Sequence, residues 1–227
     1  QRMRKLYTGV GGGSESGIYR TLDSGATWQK MLKGLPAEDV GRIGMNISPV
    51  DPDVLYALVQ AKEGSGVYRS SDRGSSWTKQ SSYISAYPFY MQKIYCDPKD
   101  ESKLYSMDLL LQVSTDEGKT WKPLGERYKH VDNHVLWIDD ADTKHLLNGC
   151  DGGVYESWDQ GQTWDFKNNI PIAEVYKVTT DNALPFYNVY AGTQDNSSVT
   201  GPSQTINRSG ISNADWYFTK GGDGFAT

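Results

Sequence analysis

Four copies of one short pattern decide the fold of this chain. They read Thr21-Leu-Asp-Ser-Gly-Ala-Thr-Trp28, Ser70-Ser-Asp-Arg-Gly-Ser-Ser-Trp77, Ser114-Thr-Asp-Glu-Gly-Lys-Thr-Trp121 and Ser157-Trp-Asp-Gln-Gly-Gln-Thr-Trp164. The shared form is Ser/Thr-x-Asp-x-Gly-x-Ser/Thr-Trp, and we call the copies boxes 1 to 4. Their aspartates follow one another at intervals of 49, 44 and 43 residues. Such regular intervals indicate a chain of structural repeats.

The residue types of the box predict a hairpin turn. The aspartate can accept hydrogen bonds from turn amides, and the glycine two residues later supplies a positive φ without steric cost. The tryptophan opens the next strand and is expected to bury its ring between neighbouring units. A pattern present four times favours a structural role over four active sites. The structural residues are Asp23, Gly25, Trp28, Asp72, Gly74, Trp77, Asp116, Gly118, Trp121, Asp159, Gly161 and Trp164.

The same order of short segments recurs around each box. A first strand leads into an aspartate turn, a second strand follows, a third runs into the box, and a fourth begins at the box tryptophan. The predicted first strands are Ile43–Ser48, Lys93–Tyr95, Val135–Ile138 and Val175–Thr179, and the second strands are Val54–Val59, Lys103–Ser106, His145–Asn148 and Tyr187–Ala191. Four short strands per repeat predict an all-β fold, a β-propeller of four-stranded antiparallel blades.

The repeats divide the chain into units at 1–38, 39–86, 87–128, 129–173, 174–220 and 221–227, of which the first and last are partial. The first unit has strands at Lys5–Val10, at Ile18–Thr21 and from Trp28, and Gly221–Thr227 starts a sixth unit. The fifth unit carries Pro202–Asn213 where a box would stand. We expect residues 1–227 to be part of one propeller of seven or more blades. The alternative is a small closed ring whose C-terminal strand completes the first unit.

Six further segments follow box 3 in a characteristic order. They are His130-Val-Asp-Asn-His134, Asp151-Gly-Gly-Val-Tyr155, Asn169-Ile-Pro-Ile172, Gln194-Asp-Asn196, Gly201-Pro-Ser203 and Gly221-Gly-Asp-Gly-Phe225. The boxes resemble the bacterial neuraminidase (Asp-box) repeats of sialidases, xyloglucan hydrolases and sortilin-type propellers. The whole series resembles the secreted, sortilin-like, glycosyl-hydrolase-labelled propellers of bacteria. This resemblance implies a secreted, periplasmic or cell-surface location.

Propeller geometry assigns the loops to two faces. The boxes and aspartate turns fall on one face, while the loops between strands two and three, and between strands four and one, fall on the other. The resemblance implies that the second face holds the site. His130, Asp132 and His134 belong there, and they alternate, so an extended strand would point all three the same way. They could be hydrogen-bonded structure, a metal set or an acid–base pair. His145 lies close to them in sequence.

Asp151 is the principal candidate for a catalytic carboxylate. Its segment is similar to the one that carries a catalytic aspartate in xyloglucan-type hydrolases, although it is one residue shorter here. Glycosidases use two carboxylates, so Asp132, Asp195 and Asp223 are candidates for the second. The alternative is that Asp151 and Asp195 cap turns, as aspartate does in many loops.

Aromatic residues outside the repeat pattern are candidates for ligand contacts. Tyr19, Tyr68 and Tyr155 share one repeat position, and Tyr56, Tyr105 and Tyr190 share another, which favours packing between blades. Tyr83, Tyr87, Phe89 and Tyr90 fit neither position and precede the first strand of the third unit. The full set of predicted ligand-binding residues is His130, His134, Tyr87, Tyr90, Gln194, Asn196 and Asp223.

Composition narrows the possible partners. The formal charge is −5, so a broad basic face for nucleic acid is excluded, and no apolar run is long enough for membrane insertion. Cys96 and Cys150 end strands on opposite faces, at least ~15 Å apart, which exceeds the ~6.8 Å limit on Cα separation in a disulfide. We therefore expect two free thiols, and we expect no cofactor.

Three functions fit the sequence. The first is a propeller that binds a polypeptide or glycan through its channel-side loops. The second is a glycoside hydrolase, xyloglucanase-like or sialidase-like, with paired carboxylates on that face. The third is a structural scaffold subunit of an extracellular assembly.

Overall fold

The computed structural model describes residues 12–125, 127–170 and 172–224. The chain divides into two compact units, Gln1–Phe166 and Lys167–Thr227. Four sheets lie in the first unit and one in the second, and every paired strand is antiparallel to its neighbour. We call the sheets blades 1 to 5 in chain order.

Blades 1 to 4 build the first unit. Blade 1 is two-stranded in the described residues, and blades 2 to 4 are four-stranded with the strands in chain order. A short helix α1, Pro88–Met91, precedes blade 3. The strands are β1 Ile18–Arg20 and β2 Gln29–Met31; β3 Val40–Ile47, β4 Leu55–Ala61, β5 Gly66–Ser70 and β6 Thr78–Ser81; β7 Lys93–Cys96, β8 Leu104–Met107, β9 Gln112–Ser114 and β10 Lys122–Pro123; and β11 Asn133–Ile138, β12 Leu146–Cys150, β13 Gly153–Ser157 and β14 Asp165–Phe166.

Blade 5 forms the second unit and keeps the four-stranded order without a box. Its strands are β15 Val175–Thr180, β16 Asn188–Thr193, β17 Ser198–Pro202 and β18 Tyr217–Lys220, and a 3₁₀ turn at Asn213–Asp215 precedes β18. The Asp181 carboxylate accepts hydrogen bonds from the amides of Ala183 and Asn188 and from the Tyr190 hydroxyl. It also accepts a hydrogen bond from the Asn188 side-chain amide. That bond first, and then the others, hold the pKa of Asp181 well below its usual range.

The predicted four-stranded blades are confirmed. The described fourth strands of the box-containing blades begin one residue after the box tryptophan rather than at it. The predicted strand Lys5–Val10 lies outside the described residues. Gly221–Gly224 forms no strand, and the remaining residues of that predicted strand, 225–227, are also outside the described part. That both units belong to one propeller stays a prediction.

All four boxes have the same hydrogen-bond pattern. In box 2, the Asp72 carboxylate accepts the Ser76 amide at 2.8 Å and the Ser76 hydroxyl at 2.6 Å, while the Ser70 hydroxyl donates to it at 2.8 Å and accepts the Gly74 amide. Equivalent bonds form in boxes 1, 3 and 4. Both central residues, Arg73 and Gly74, have positive φ, the signature of a type I′ hairpin turn. The structural interpretation of the boxes therefore agrees with their geometry.

Box tryptophans pack on the preceding blade. Trp77 and Trp164 are buried, and each contacts the end of the blade before it: the Trp77 amide donates to Lys33 O and the Trp164 indole donates to Gly125 O. Trp28 is 61% exposed, so its expected burial is wrong among the described residues. Among the described residues, no sheet precedes blade 1 in the chain, whereas Trp77 and Trp164 each pack on the sheet before their own.

Three apolar clusters fill the spaces between successive blades of the first unit. Because side chains alternate between the two faces of a strand, one strand serves two clusters. Ala57 of β4 faces blade 1, whereas Tyr56 and Leu58 of the same strand face blade 3. Tyr105 repeats the role of Tyr56 between blades 3 and 4. Each fully buried apolar side chain of this kind stabilises the fold by about 1.5–3 kcal/mol, so these clusters supply most of the stability.

The first strands of blades 2 and 3 lie beside one another. A Cβ on Gly44 of β3 would stand 2.6 Å from Gln92 O, so the backbones of β3 and the segment entering β7 approach as closely as glycine allows. The Gln92 side chain donates to the carbonyls of Arg42 and Leu58. The Asn46 side chain accepts the Cys96 amide. These contacts hold the first strand of blade 2 against the first strand of blade 3.

Both thiols are free, as predicted. Burial raises the pKa of the Cys96 thiol to about 12. Within the described residues, no helix has the length and apolar character needed to cross a membrane.

We predict that Asp72→Ala lowers the thermal unfolding midpoint and that Asp72→Asn lowers it less, because asparagine keeps one acceptor for the Ser76 amide. Hydrogen bonds, led by that of the Ser76 hydroxyl, lower the pKa of Asp72 from its ordinary 3.8 to about 2. The charged carboxylate therefore stabilises the fold fully above about pH 4, and this stabilisation is lost as the pH falls through about 2.

Circular dichroism melts of wild type and Asp72→Asn between pH 2 and 7 test this prediction. Asp165→Asn, at an exposed aspartate on β14, is the control and should melt like the wild type. A midpoint difference between wild type and Asp72→Asn that stays constant from pH 4 to pH 2 would contradict the assignment.

Candidate functional site

A histidine–aspartate pair lies at one end of blade 4. His134 is the second residue of β11, and Asp151 directly follows β12. Because β11 and β12 are antiparallel, the start of one meets the end of the other, and Asn133 pairs with Cys150. His134 Nε2 lies 2.7 Å from Asp151 Oδ1, with 26% of the histidine side chain and 17% of the aspartate side chain exposed. Both side chains are therefore partly exposed, while the His134 Nε2 atom that faces Asp151 is itself buried.

Three aromatic side chains adjoin this pair. Tyr90 packs edge-on against the His134 ring, with 4.8 Å between the centroids. Phe89 contacts both Tyr90 and Tyr87, at 6.4 and 6.3 Å. Tyr87, Phe89 and Tyr90 are 47%, 49% and 48% exposed. We call these three aromatics with His134 and Asp151 the site surface.

The local sequence explains how the aromatics are presented. Phe89 and Tyr90 lie in the short helix α1, which begins at Pro88. Proline fits the first helical position because its missing amide hydrogen is not needed there. The amides of Tyr90 and Met91 both donate to Tyr87 O, and Met91 is buried beneath the turn. Tyr83 does not belong to the surface. It stacks on Trp121 at 4.6 Å, and burial raises its pKa well above the usual range.

The structure corrects the alternating set His130, Asp132 and His134. Asp132 has φ +64°, so the backbone is not extended there, and β11 begins only at Asn133. His130 packs against Gly152: a Cβ added at Gly152 would stand 2.3 Å from the Cβ of His130. His130 Nδ1 is 3.0 Å from Val131 O. The positive φ therefore prevents the three side chains from sharing one direction.

A metal centre is not formed in the part of the chain that the structure describes. No group of three or more histidine, cysteine, aspartate or glutamate side chains in residues 12–125, 127–170 and 172–224 is placed to hold a metal ion. His134, which would have been a ligand, lies against Asp151 instead.

The candidate second carboxylates belong to two different units. Asp132 lies in the first unit and contacts Asp151 through its backbone, since the Asp151 amide donates to Asp132 O at 3.3 Å. Asp195 and Asp223 belong to the second unit, in which the Asp195 amide donates to the Asp223 carboxylate at 2.9 Å. In the first unit, the Asp151 carboxylate lies against the His134 imidazole.

The other predicted residues of the second unit surround Asp195. The Gln194 amide donates to Glu174 O, and the side-chain amide of Asn196 donates to Gln194 O. Tyr176 lies near the carboxylates of this unit. Its pKa is raised by burial first and then by Asp223, Asp195 and Glu174. These residues form their own cluster on blade 5.

Sequence reasoning missed three buried polar residues that support the site surface. Lys129 is only 7% exposed; its ammonium lies over the rings of Tyr155 and Trp164 and donates to Asn133. Asn133 is completely buried, and Asp108 is 7% exposed. Asp108 departs from the repeat, because the equivalent position in blade 2 is Val59. Aligning the blades on the box residues would have shown this departure.

His145 lies at the opposite end of blade 4 from His134, so the closeness of the three histidines in sequence is not closeness in space. Its Nε2 is 2.8 Å from Glu156, its Nδ1 is 3.3 Å from Asp139, and its ring stacks on Trp158 at 3.7 Å. Burial disfavours the charged ring, but Glu156 and Asp139 together outweigh it and raise the pKa of His145.

Comparison with solved structures shows the fold. A GH74 enzyme from Niastella koreensis shares 16% identity, with a TM-score of 0.55, over 92% of this chain and 34% of that one. The GH74 xyloglucanase from Xanthomonas campestris shares 18%, with a TM-score of 0.54, over 83% and 33%. An ancestral GH74 enzyme shares 12%, with a TM-score of 0.50, over 92% and 36%. No protein-family model and no curated protein sequence matches the chain.

The class of the protein follows from the sheets and these likenesses. It is an all-β protein with the β-propeller fold, built from four-stranded antiparallel blades. The chain spans about a third of the length of the GH74 structures that it resembles.

We predict that His145→Gln removes a pH dependence of stability. The raised pKa means that the charged ring stabilises the fold fully below about pH 6.5, and that this stabilisation is lost as the pH rises through the folded-state pKa. Thermal melts between pH 5 and 9 should therefore converge for wild type and His145→Gln at the alkaline end.

His130→Gln, which leaves the Glu156 and Asp139 contacts intact, is the control and should keep the wild-type pH profile. Parallel profiles for wild type and His145→Gln over the whole range would refute the assignment.

Proposed function

We propose that the first unit binds a glycan at the site surface. The observation that carries this proposal is the row of three half-exposed aromatic side chains beside the partly exposed His134–Asp151 pair. Sites for small ligands combine apolar and aromatic walls with a few placed polar groups, and this surface has both elements.

The chemistry of the surface suits a sugar ring. Such a ring has an apolar face of C–H groups and a rim of hydroxyls. An exposed aromatic ring can contact the face, while a carboxylate and an imidazole can accept from or donate to the hydroxyls. A polypeptide, the other ligand class expected from the sequence, could use the aromatics but has no equal need for the His134 and Asp151 side chains.

The comparisons support a glycan as the ligand class. One of the similar structures is a xyloglucanase, and this similarity in fold motivates β-glucans as the first probes. An exported location, secreted, periplasmic or at the cell surface, agrees with such a ligand and remains a prediction.

We predict that Tyr90→Ala weakens the binding of a β-glucan oligosaccharide about tenfold, since a lost aromatic contact of about 0.5–1.5 kcal/mol adds to lost buried area. His134→Ala should weaken binding as well, because it also removes the partner of Asp151. Isothermal titration calorimetry with a panel of β-glucan and sialoside oligosaccharides measures both effects.

Trp158→Ala is the matched control. Trp158 is an exposed aromatic side chain that stacks on His145, at the opposite end of blade 4 from His134, so its removal should leave affinity unchanged. If no oligosaccharide of the panel binds wild type, the glycan proposal fails and a polypeptide or scaffold role takes its place.

Asp151→Asn separates binding from hydrolysis. If the chain only binds glycan, wild type releases no reducing sugar from any oligosaccharide of the panel. If it is a glycoside hydrolase, wild type releases reducing sugar, and Asp151→Asn abolishes that release while the melting temperature stays the same.

A further inference from the structure

Asp108 interrupts the repeat at the end of blade 3 where the site surface lies. The box serines Ser70, Ser114 and Ser157 pair with Leu55, Leu104 and Leu146, which aligns the second strands of blades 2 to 4. Four residues later these strands carry Val59, Asp108 and Cys150. In blades 2 and 4 this position is still strand, whereas β8 has already ended at Met107.

The side chain of Asp108 holds the segment that leads to the aromatics. Its Oδ1 accepts the Ala86 amide at 2.8 Å and the Leu109 amide at 2.8 Å. Its Oδ2 accepts the Tyr83 hydroxyl at 3.0 Å. The residue is 7% exposed, so these bonds form away from water. Asp108 thereby fixes the chain immediately before Tyr87.

The backbone around Asp108 holds the segment that leads to His134. Asp108 O accepts both the amide of Asn133, at 3.0 Å, and its side-chain amide, at 3.2 Å. Leu109 O accepts the Asp132 amide at 2.9 Å and the Asn133 side chain at 3.1 Å. One short turn therefore binds the residue next to His134 as well as the start of the aromatic segment.

An aspartate is suited to this role for a chemical reason. An ionised carboxylate has about four lone-pair sites and no donor, so it can accept two amides and a hydroxyl together. A buried carboxylate requires such donors, because it has lost its water. Valine or cysteine, which occupy this position in blades 2 and 4, could accept none of these bonds with comparable strength.

We propose that Asp108 is the positioning residue of the site surface. It joins the aromatic half, Tyr87, Phe89 and Tyr90, to the half that carries His134 and Asp151, and it sets the contact between Tyr90 and His134. The biological use of this role rests on the proposed glycan binding, but the positioning itself is measurable without any ligand.

The test is nuclear magnetic resonance on the 227-residue chain in the absence of ligand. We expect Asp108→Ala to abolish the nuclear Overhauser contact between the Tyr90 and His134 rings. We also expect the hydrogen-exchange rates of the Tyr90 and Met91 amides to rise about tenfold. The exchange rate of the Tyr105 amide in β8 should change less than about twofold, because the segment around Tyr90 can open locally without global unfolding.

Two variants separate positioning from general stability. Asp108→Asn keeps an acceptor for the Ala86 and Leu109 amides, so the Tyr90–His134 contact that is lost in Asp108→Ala should be present in Asp108→Asn. Val113→Ala trims a buried side chain of β9 and should lower the melting temperature without loosening the Tyr90 amide. The proposal is overturned if Asp108→Ala keeps the ring contact, if Asp108→Asn fails to restore it, or if Val113→Ala loses it too.

Tyr83→Phe covers the case in which Asp108→Ala does not fold. It removes the hydroxyl that bonds to Asp108 Oδ2 at 3.0 Å and to Ser106 Oγ at 3.2 Å. The loss of the Asp108 bond should raise exchange at Ala86 and Tyr90 by about threefold, in line with one lost hydrogen bond. Unchanged exchange in Tyr83→Phe would overturn the proposal. Because no ligand is used, these results stand apart from the glycan titrations.

Discussion

The hydrogen bond that each box aspartate accepts from the amide four residues later is the constraint on which the rest of the structure depends. It closes a turn with two successive positive φ angles, and it thereby sets the register of the third and fourth strands. That register brings the box tryptophan onto the preceding blade, where Trp77 and Trp164 complete apolar clusters. The boxes provide geometry, and the clusters between the blades provide most of the energy.

The site surface lies where this regular design is interrupted. The connection into blade 3 forms a helical turn, the strand of blade 4 starts after a residue of positive φ, and a buried aspartate replaces an apolar residue of blade 2. The burial of the Asp108 carboxylate is compensated by the hydrogen bonds that it accepts from Ala86, Leu109 and Tyr83. Function in a repeat fold is concentrated at such departures, because the repeated positions are already committed to packing.

The blades, the boxes and the packing of Tyr56 and Tyr105 between blades could be predicted because they depend on local contacts, whereas Tyr19 is 36% exposed. Asp72 bonds to a residue four positions away, and Tyr56 and Tyr105 follow from strand alternation. The expected direction of His130, Asp132 and His134 failed because a single αL residue reverses the backbone, and aspartate tolerates that conformation without any sign in the pattern. His145 was grouped with them in sequence although β12 separates it from Asp151.

By itself, the sequence determined the fold class, the four-stranded blade and the identity of the box residues, since a repeated local pattern carries that information in every copy. Only the tertiary structure decided that His134 contacts Asp151, that Tyr90 packs on that histidine, and that Asp108 holds both segments together. These contacts join residues 17, 44, 22 and 25 positions apart in the chain. Their geometry depends on how neighbouring strands and blades pack, and no local pattern encodes it.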